Sequence, residues 1–120
     1  MKLFYIIVFQ FIATFANAQI KHGLASYYHS KFHGKKTATG EIFDNTILTA
    51  ASNVFKLGTR VIVTNLSNGK KVEVLINDRM AKYNKRLIDL SHAAAKRLDM
   101  IKQGKAKVSV EIIHSTAEEK

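Results

Sequence analysis

The 120-residue chain is long enough for one domain but not for two, and its lack of cysteine excludes disulfides and thiol catalysis. Its 19 Lys and Arg against 9 Asp and Glu give a net charge of +10, which suits an anionic partner. Apart from Lys2 and Lys120, the basic residues are scattered from position 21 to 107. We therefore expect no nucleic-acid binding, which needs a concentrated basic surface.

The first 18 residues predict a cleaved signal peptide. Lys2 is followed by a nearly continuous apolar run from Leu3 to Phe15, and residues 16–18 (Ala-Asn-Ala) have the small-x-small pattern of a signal-peptidase site. The apolar run is shorter than a comfortable membrane span, so we expect no stable membrane anchor, and without cysteine no lipid anchor. We expect an exported, periplasmic or extracellular protein. Residues 19–120 should form one domain whose core covers about 22–113.

The amino-terminal half of the mature chain predicts one strand, a long loop and a short buried segment. The strand is expected from His22 to His29, with Tyr27 and Tyr28 exposed. A polar, glycine-containing stretch from Ser30 to Asn45 predicts a surface loop. The apolar residues from Ile47 to Ala51 predict the buried segment.

The clearest strands are Thr59–Thr64 and Lys71–Ile76, and Asn68-Gly69 between them supplies the residues of a tight hairpin turn. A terminal strand is expected where apolar and polar residues alternate from Val108 to Ile112.

One helix is expected, beginning after Ser91, which is a good N-cap. Leu98 and Met100 should face the core, and Gly104 should end the unit. Many short strands with a single helix favour a mainly β fold, a small β-barrel, over an alternating α/β sheet.

Two acids, Asp78 and Asp89, lie eleven residues apart and each follows an apolar run that predicts a strand. In such a strand Ile88 and Leu90 point to one side and Asp89 to the other, so the aliphatic side chains can be buried while the acid faces a groove. Paired carboxylates are what cleavage of a glycosidic bond requires. A polysaccharide is therefore the first substrate class to test.

Each acid also has a simpler interpretation. Asp89 could only cap the helix that starts near Ser91, and Asp78 could be a turn residue bonded to its own backbone. His29 and His33 are four residues apart but have no third ligand at a suitable spacing, so we expect no metal site.

Ordered motifs extend over nearly all of residues 22–113. They are Gly23-Leu24-Ala25-Ser26-Tyr27-Tyr28, the loop from Phe32 to Asp44, Leu48-Thr49-Ala50-Ala51, Leu57-Gly58-Thr59-Arg60-Val61, Asn77-Asp78-Arg79 and Ile88-Asp89-Leu90-Ser91. Together they resemble the motifs of the rare lipoprotein A family of septal lytic transglycosylases. The resemblance implies a small six-stranded double-psi β-barrel with one or two short helices.

The resemblance also implies an activity, namely endolytic cleavage of the β-1,4 bond between N-acetylmuramic acid and N-acetylglucosamine to leave a 1,6-anhydro sugar. Asp89 would be the acid that protonates the leaving oxygen, and Asp78 would orient Asp89 or raise its pKa. The partner would be peptidoglycan glycan strands, no cofactor would be needed, and a monomer is expected. The competing hypothesis is a non-catalytic, expansin-like module that binds wall polysaccharide.

The same resemblance assigns substrate-binding residues. Glu41 and Asp44 would lie in the groove, and Tyr27 and Tyr28 could stack on a sugar ring, although an aromatic beside a strand is more often part of the core. Arg79 would pair with Asp78 or hold a substrate carboxylate, or remain a surface charge.

The chain departs from the family pattern at two places. Ser52 stands where the family usually has a histidine, so the groove would lack a proton partner there. Met80-Ala81 replaces the usual Gly-Pro beside Asp78, which changes the backbone freedom of that loop.

Overall fold

Six strands close into a barrel in the computed structural model, which describes residues 20–29 and 32–114. The strands are β1 (Ile20–Tyr27), β2 (Thr49–Ala51), β3 (Arg60–Asn65), β4 (Lys71–Asp78), β5 (Ile88–Leu90) and β6 (Ala106–His114). Around the barrel their order is β1-β5-β2-β4-β3-β6. The one helix in the described ranges, α1, covers His92–Arg97. The mainly β prediction is confirmed, whereas the predicted signal peptide lies outside the described residues.

The longest pairings involve β6, which lies antiparallel to both β1 and β3. The two short strands, β2 and β5, pair antiparallel with each other, while β2 runs parallel to β4 and β5 runs parallel to β1. Because β1 and β5 are far apart in sequence, this closure brings two distant chain segments side by side. At that seam Gly23 is required, since a Cβ there would lie 2.7 Å from the Cβ of Leu87.

The β3–β4 hairpin forms where the sequence predicts it, with a longer turn. The amide of Asn65 donates to the carbonyl of Lys70 (2.8 Å), so four residues, 66–69, form the turn rather than Asn68 and Gly69 alone. Gly69 takes a φ of 76°, a left-handed conformation that glycine adopts without steric cost.

The barrel interior is filled by alternating aliphatic side chains, as the strand periodicity predicts. Each such side chain contributes about 1.5–3 kcal/mol when it is withdrawn from water. The fully buried members include Val61, Val63, Val74, Ile76, Ile88, Leu90, Leu98, Met100, Val108 and Val110. The predicted core positions of Leu98 and Met100 are therefore confirmed.

Helix α1 begins where Ser91 caps it, as predicted. The Ser91 Oγ accepts a hydrogen bond from the amide of Ala94 (3.3 Å). The amide of His92 donates to Asn45 Oδ1 (2.6 Å), which ties the end of the long polar loop to the first turn of the helix. None of the helices within the described ranges is long and apolar enough to cross a membrane.

Two sequence-based boundaries were wrong. The first strand spans Ile20–Tyr27 rather than 22–29, because its partner β6 extends the pairing back to Ile20. The buried segment expected over 47–51 is buried only from Thr49, since Ile47 is exposed and precedes the strand.

Candidate active site

A row of four residues crosses four neighbouring strands and contains both acids. Ser26 of β1 is in register with Asp89 of β5, and Asp89 is in register with Ala51 of β2. Ala51 is in turn in register with Asp78 of β4. Residues in register share one face of a sheet, so the two carboxyl groups lie on the same face with Ala51 between them. This is the Ser26–Asp78 row.

The row lies on the outer face of the barrel. Ala50 packs in the interior core, whereas Ala51 packs in a separate cluster. On β5 the neighbours of Asp89, Ile88 and Leu90, are fully buried in the interior. The predicted orientation of Asp89 away from its two aliphatic neighbours is therefore confirmed.

A β-bulge at Asn77 aims Asp78 into the row. Ala50 pairs with Ile76, but the next residue, Ala51, pairs with Asp78, so Asn77 is the extra residue. Without the bulge, alternation would place Asp78 on the same side as Ile76, inside the barrel. Bulges of this kind re-aim a side chain next to a site.

Asp89 has a raised pKa. The largest cause is desolvation by burial, which disfavours the ionised carboxylate. A hydrogen bond from Ser26 Oγ to Asp89 Oδ1 (3.0 Å) and the positive charge of Arg86 lower the pKa, while the negative charge of Asp78 raises it. The net increase keeps a proton on Asp89 more readily than on an exposed aspartate, which suits a general acid.

Asp78 accepts three hydrogen bonds. The Tyr28 hydroxyl donates to Oδ2 (2.5 Å), and the backbone amides of Ala38 and Arg79 donate to Oδ1 (2.8 Å each). A carboxylate has only acceptors, so all three donors are satisfied by its ionised form. Burial, followed by the hydrogen bond to Asp78, raises the pKa of Tyr28 far above its usual range, so the phenol keeps its proton and acts as the donor.

Tyr28 belongs to a small apolar cluster on the outer face, and its predicted exposure was wrong. Its side chain is only 7% exposed, and it packs with Phe43, Ala51 and Met80. The rings of Tyr28 and Phe43 are stacked, with centroids 4.1 Å apart and planes 21° apart. Since Phe43 covers one face and Asp78 holds the hydroxyl, Tyr28 positions the acid and has no open face for a sugar.

Tyr27 is also more enclosed than the sequence predicted. Its side chain is half-buried against the barrel core, and its hydroxyl donates to the carbonyl oxygen of Ile101 (3.0 Å). Its ring meets that of His92 edge-on, with centroids 5.8 Å apart. These contacts assign Tyr27 to the packing between β1 and helix α1.

Ser52 does not line a groove, which corrects the sequence-based interpretation. Its side chain is fully buried, and its hydroxyl donates to the carbonyl of Leu87 (2.8 Å) and accepts from the amide of Val54 (3.1 Å). The hydroxyl therefore joins the end of β2 to the segment that enters β5. A histidine could not replace it without displacing these neighbours.

Arg79 contacts Asp78 through its backbone rather than through a salt bridge. Its guanidinium Nη1 donates to the carbonyl oxygens of Ser52 and Phe55. The two ion pairs found in residues 20–29 and 32–114 are Arg60–Glu73 and Lys70–Asp99, so the Arg79–Asp78 pair, one of the three alternatives for Arg79, is not found there. Arg79 thus holds the segment from Ser52 to Phe55, which follows β2, by hydrogen bonds to its backbone.

Glu41 and Asp44 lie in the polar loop and are held by local hydrogen bonds. Glu41 Oε1 accepts from Thr39 Oγ1 (2.9 Å), and Asp44 Oδ1 accepts from the amide (2.9 Å) and hydroxyl (2.5 Å) of Thr46. The hydrogen bonds from Thr46 hold the pKa of Asp44 below its usual range. The amide of Ala38 ties this loop to Asp78, so the loop borders the site.

Three contributors escaped the sequence-based analysis: the Ser26 hydroxyl, the Ala38 amide and the Arg86 charge. Ser26 lies in one of the family motifs, so its position was visible although its role was not. The other two had no signal, because a backbone amide is independent of residue type and Arg86 was one of many scattered cations. No group of three metal-ligating side chains is found among the described residues.

The family model described as "Lytic transglycolase" matches residues 20–110 of the chain. The chain belongs to this family. The double-psi β-barrel fold is thereby confirmed, and the curated relatives described next confirm the rare lipoprotein A resemblance.

Curated relatives agree with this assignment. The "Endolytic peptidoglycan transglycosylase RlpA" of Haemophilus influenzae is 50% identical over 99 residues, which are 82% of this chain and 34% of that protein. The protein of the same name from Pseudomonas aeruginosa strain PAO1 is 52% identical over 89 residues, 74% of this chain and 26% of that protein. The chain thus spans between about a quarter and a third of the length of these relatives.

Among solved structures, the Streptomyces papain inhibitor matches with a TM-score of 0.65 and 24% identity over 80% of this chain and 96% of that one. At this level of identity the match concerns the fold alone. A similar barrel fold is therefore found in a protein named as a papain inhibitor.

Proposed function

We propose that this lytic transglycolase family member is an endolytic peptidoglycan transglycosylase that cleaves the β-1,4 bond between N-acetylmuramic acid and N-acetylglucosamine. The observation that carries the proposal is Asp89, a largely buried carboxyl group with a raised pKa, which accepts a hydrogen bond from Ser26 and shares a row with Asp78. The curated relatives at 50 and 52% identity support the substrate class.

In the proposed reaction Asp89 acts first as a general acid and then as a general base. As a carboxylic acid it donates the proton to the glycosidic oxygen while the bond from that oxygen to C1 of N-acetylmuramic acid breaks. As a carboxylate it then accepts the proton from the 6-hydroxyl of the same sugar while O6 bonds to C1. The product is a 1,6-anhydro end, no water is consumed, and Asp89 returns to its protonated form.

Asp78 is proposed as the supporting acid. It accepts three hydrogen bonds on the same face as Asp89, and its negative charge raises the pKa of Asp89. A negative charge nearby would also stabilise positive charge developing on the sugar ring in the transition state. Asp78 lies across Ala51 from Asp89, and in the proposed reaction Asp89 alone transfers protons.

Substrate contacts are proposed for the loop that borders the site. Glu41 and Asp44 are carried by the loop that Ala38 ties to Asp78, and their oxygens can accept hydrogen bonds from sugar hydroxyls. We propose no substrate contact for Ser52 or Tyr28, because both side chains are buried.

We further propose that residues 1–18 direct export and are removed, and that residues 19–120 act as one domain in the periplasm or outside the cell. The Ala-Asn-Ala pattern at 16–18 supports the cleavage position. The domain is proposed to act as a monomer without cofactor, since the proposed chemistry needs only carboxyl groups.

The experiment is mass spectrometry of purified glycan strands after incubation with the mature protein. Release of 1,6-anhydro ends supports the transglycosylase, whereas reducing ends would identify a hydrolase. Uncleaved glycan strands with the protein still bound to them would identify the expansin-like binding module instead. The Asp89→Asn protein is the matched control, because the amide keeps the shape of the side chain but cannot carry the proton.

A further inference from the structure

The loop that joins the two acids carries a highly exposed aromatic side chain. The 79–87 loop begins directly after Asp78 and ends two residues before Asp89. At its tip Tyr83 is 88% exposed, the largest value among the exposed large hydrophobic side chains of the described residues. An exposed ring of this size, so close in the chain to both acids, contributes nothing to the barrel core.

The base of the 79–87 loop is anchored to the barrel. Met80 is buried in the outer cluster, and its amide donates to Asn53 Oδ1 (2.9 Å). The side-chain amide of Asn53 donates in return to the carbonyl of Ala81 (3.1 Å). The loop therefore leaves the barrel at a fixed position relative to Asp78.

The tip of the loop is itself a closed turn. The amide of Asn84 donates to the carbonyl of Ala81 (2.9 Å), which places Tyr83 inside the turn. The Asn84 side chain then accepts from the amide of Arg86 (3.0 Å) as the chain returns toward β5. Because the backbone is held on both sides, binding a ligand at Tyr83 requires little further ordering.

The size and chemistry of this feature fit a sugar ring rather than a protein. Single exposed hydrophobic side chains are far smaller than the surface that a specific protein interface buries. A tyrosine offers a flat apolar face and a polar hydroxyl, and a pyranose offers an apolar C–H face with hydroxyl groups around its edge. Lys82 and Lys85 flank Tyr83 and are exposed, so they add positive charge suited to the carboxylates of peptidoglycan.

We propose that Tyr83 is a glycan-binding residue whose ring stacks on a sugar of the strand that Asp89 cleaves. Tyr83 and Asp89 are six positions apart in the chain, a stretch that spans at most about 20 Å. A glycan strand lying along the Ser26–Asp78 row can therefore reach both Tyr83 and Asp89. The inference rests on the proposed function and adds a subsite to it, outside the reacting sugar.

The test compares Tyr83→Ala, Tyr83→Phe and Leu66→Ala in two assays, binding to stem-peptide-free glycan strands and release of anhydro ends. Leu66 is a matched control because it is 52% exposed in the β3–β4 turn, at the opposite end of β4 from Asp78. Tyr83→Ala should weaken the Kd about threefold to tenfold and raise KM by a similar factor with kcat nearly unchanged. Tyr83→Phe and Leu66→Ala should bind like the wild type.

Unchanged glycan affinity in Tyr83→Ala would overturn the proposal, as would an equal loss in Tyr83→Phe, because the ring face would then not be the binding group. All variants should have the same midpoint denaturant concentration of unfolding as the wild type, since neither exposed side chain belongs to the core. If the wild type binds strands but releases no anhydro ends, the proposed reaction fails, while the Tyr83 comparison still decides the subsite. If the wild type neither binds nor cleaves, both proposals fail.

Discussion

Asp78 and Asp89 lie in register with the same residue, Ala51, from the two strands that flank β2. Since neighbouring strands are about 4.8 Å apart, the Cα atoms of the two acids are separated by about 10 Å. Their environments differ, because Asp78 accepts three hydrogen bonds whereas Asp89 accepts one from Ser26 and is largely buried. Two carboxyl groups in different environments are suited to different roles, one as a fixed charge and one as a proton carrier.

Replacement of the proton carrier is the most direct test of this division. Asp89→Asn should lower the rate of anhydro-end release at least about a hundredfold, because positioned proton transfer typically contributes 10²–10⁴-fold. Glycan binding should remain, since the amide keeps the acceptor that Ser26 contacts. The control is Glu73→Gln, which removes a surface acid that is paired with Arg60. Near-wild-type activity in Asp89→Asn would show that Asp89 does not transfer the proton and is only an acid near the start of the helix.

The raised pKa of Asp89 predicts that the free energy of unfolding decreases as pH rises. Between the ordinary value of 3.8 and the raised folded value, the native state binds more protons than the unfolded state. The free energy of unfolding should therefore fall as pH rises through that window and level off above it. Asp89→Asn lacks this contribution, so urea unfolding should find the variant gaining stability relative to the wild type as pH rises. A constant difference across the window would show that burial does not perturb Asp89.

Ser26 is predicted to act as a positioning residue for Asp89. Ser26→Ala removes the hydroxyl that stabilises the ionised carboxylate, so the pKa of Asp89 should rise further. The alkaline limb of the kcat/KM profile should then move to higher pH, because the acid remains protonated over a wider range. Ser26→Thr keeps the hydroxyl and should restore the original limb. A purely structural role would change stability without moving the profile.

The hydroxyl of Tyr28 should matter more for stability than that of Tyr27. Tyr28→Phe removes a hydrogen bond to the carboxylate of Asp78 and should lower the free energy of unfolding by about 1.5–3 kcal/mol. Tyr27→Phe removes a bond to the neutral carbonyl of Ile101 and should cost about 1 kcal/mol. Urea denaturation at neutral pH measures both. Equal losses would show that the charge of Asp78 adds nothing to the Tyr28 contact.

Replacing Ser52 with the histidine of the family pattern should not raise the proposed activity. Ser52 is fully buried and joins the carbonyl of Leu87 to the amide of Val54. A histidine side chain would overfill this space, so Ser52→His should lower the free energy of unfolding by about 1–3 kcal/mol. The rate of anhydro-end release should stay level or fall. A gain in rate at unchanged stability would show that the segment can open to admit the ring.

Local patterns in the sequence determined much of the architecture. Alternating aliphatic residues located β3, β4 and β6, and the strand periodicity oriented Asp89 away from Ile88 and Leu90. The position of Ser91 before a run of helix formers located α1. These features were predictable because periodicity and capping act within a few neighbouring residues. The ordered motifs identified the family for the same reason, since each can be recognised within a short segment.

Only the tertiary structure decided how the site is assembled. Ser26 and Asp89 are 63 residues apart, and they meet because β1 pairs with β5 when the barrel closes. The bulge at Asn77 turns Asp78 to the outer face, against the alternation that places Ile76 inside. The burial of Tyr28 likewise depends on the loop that brings Phe43 over it. The first two features depend on which strands become neighbours and the third on how the loop folds over the barrel, and no local pattern of residues encodes either.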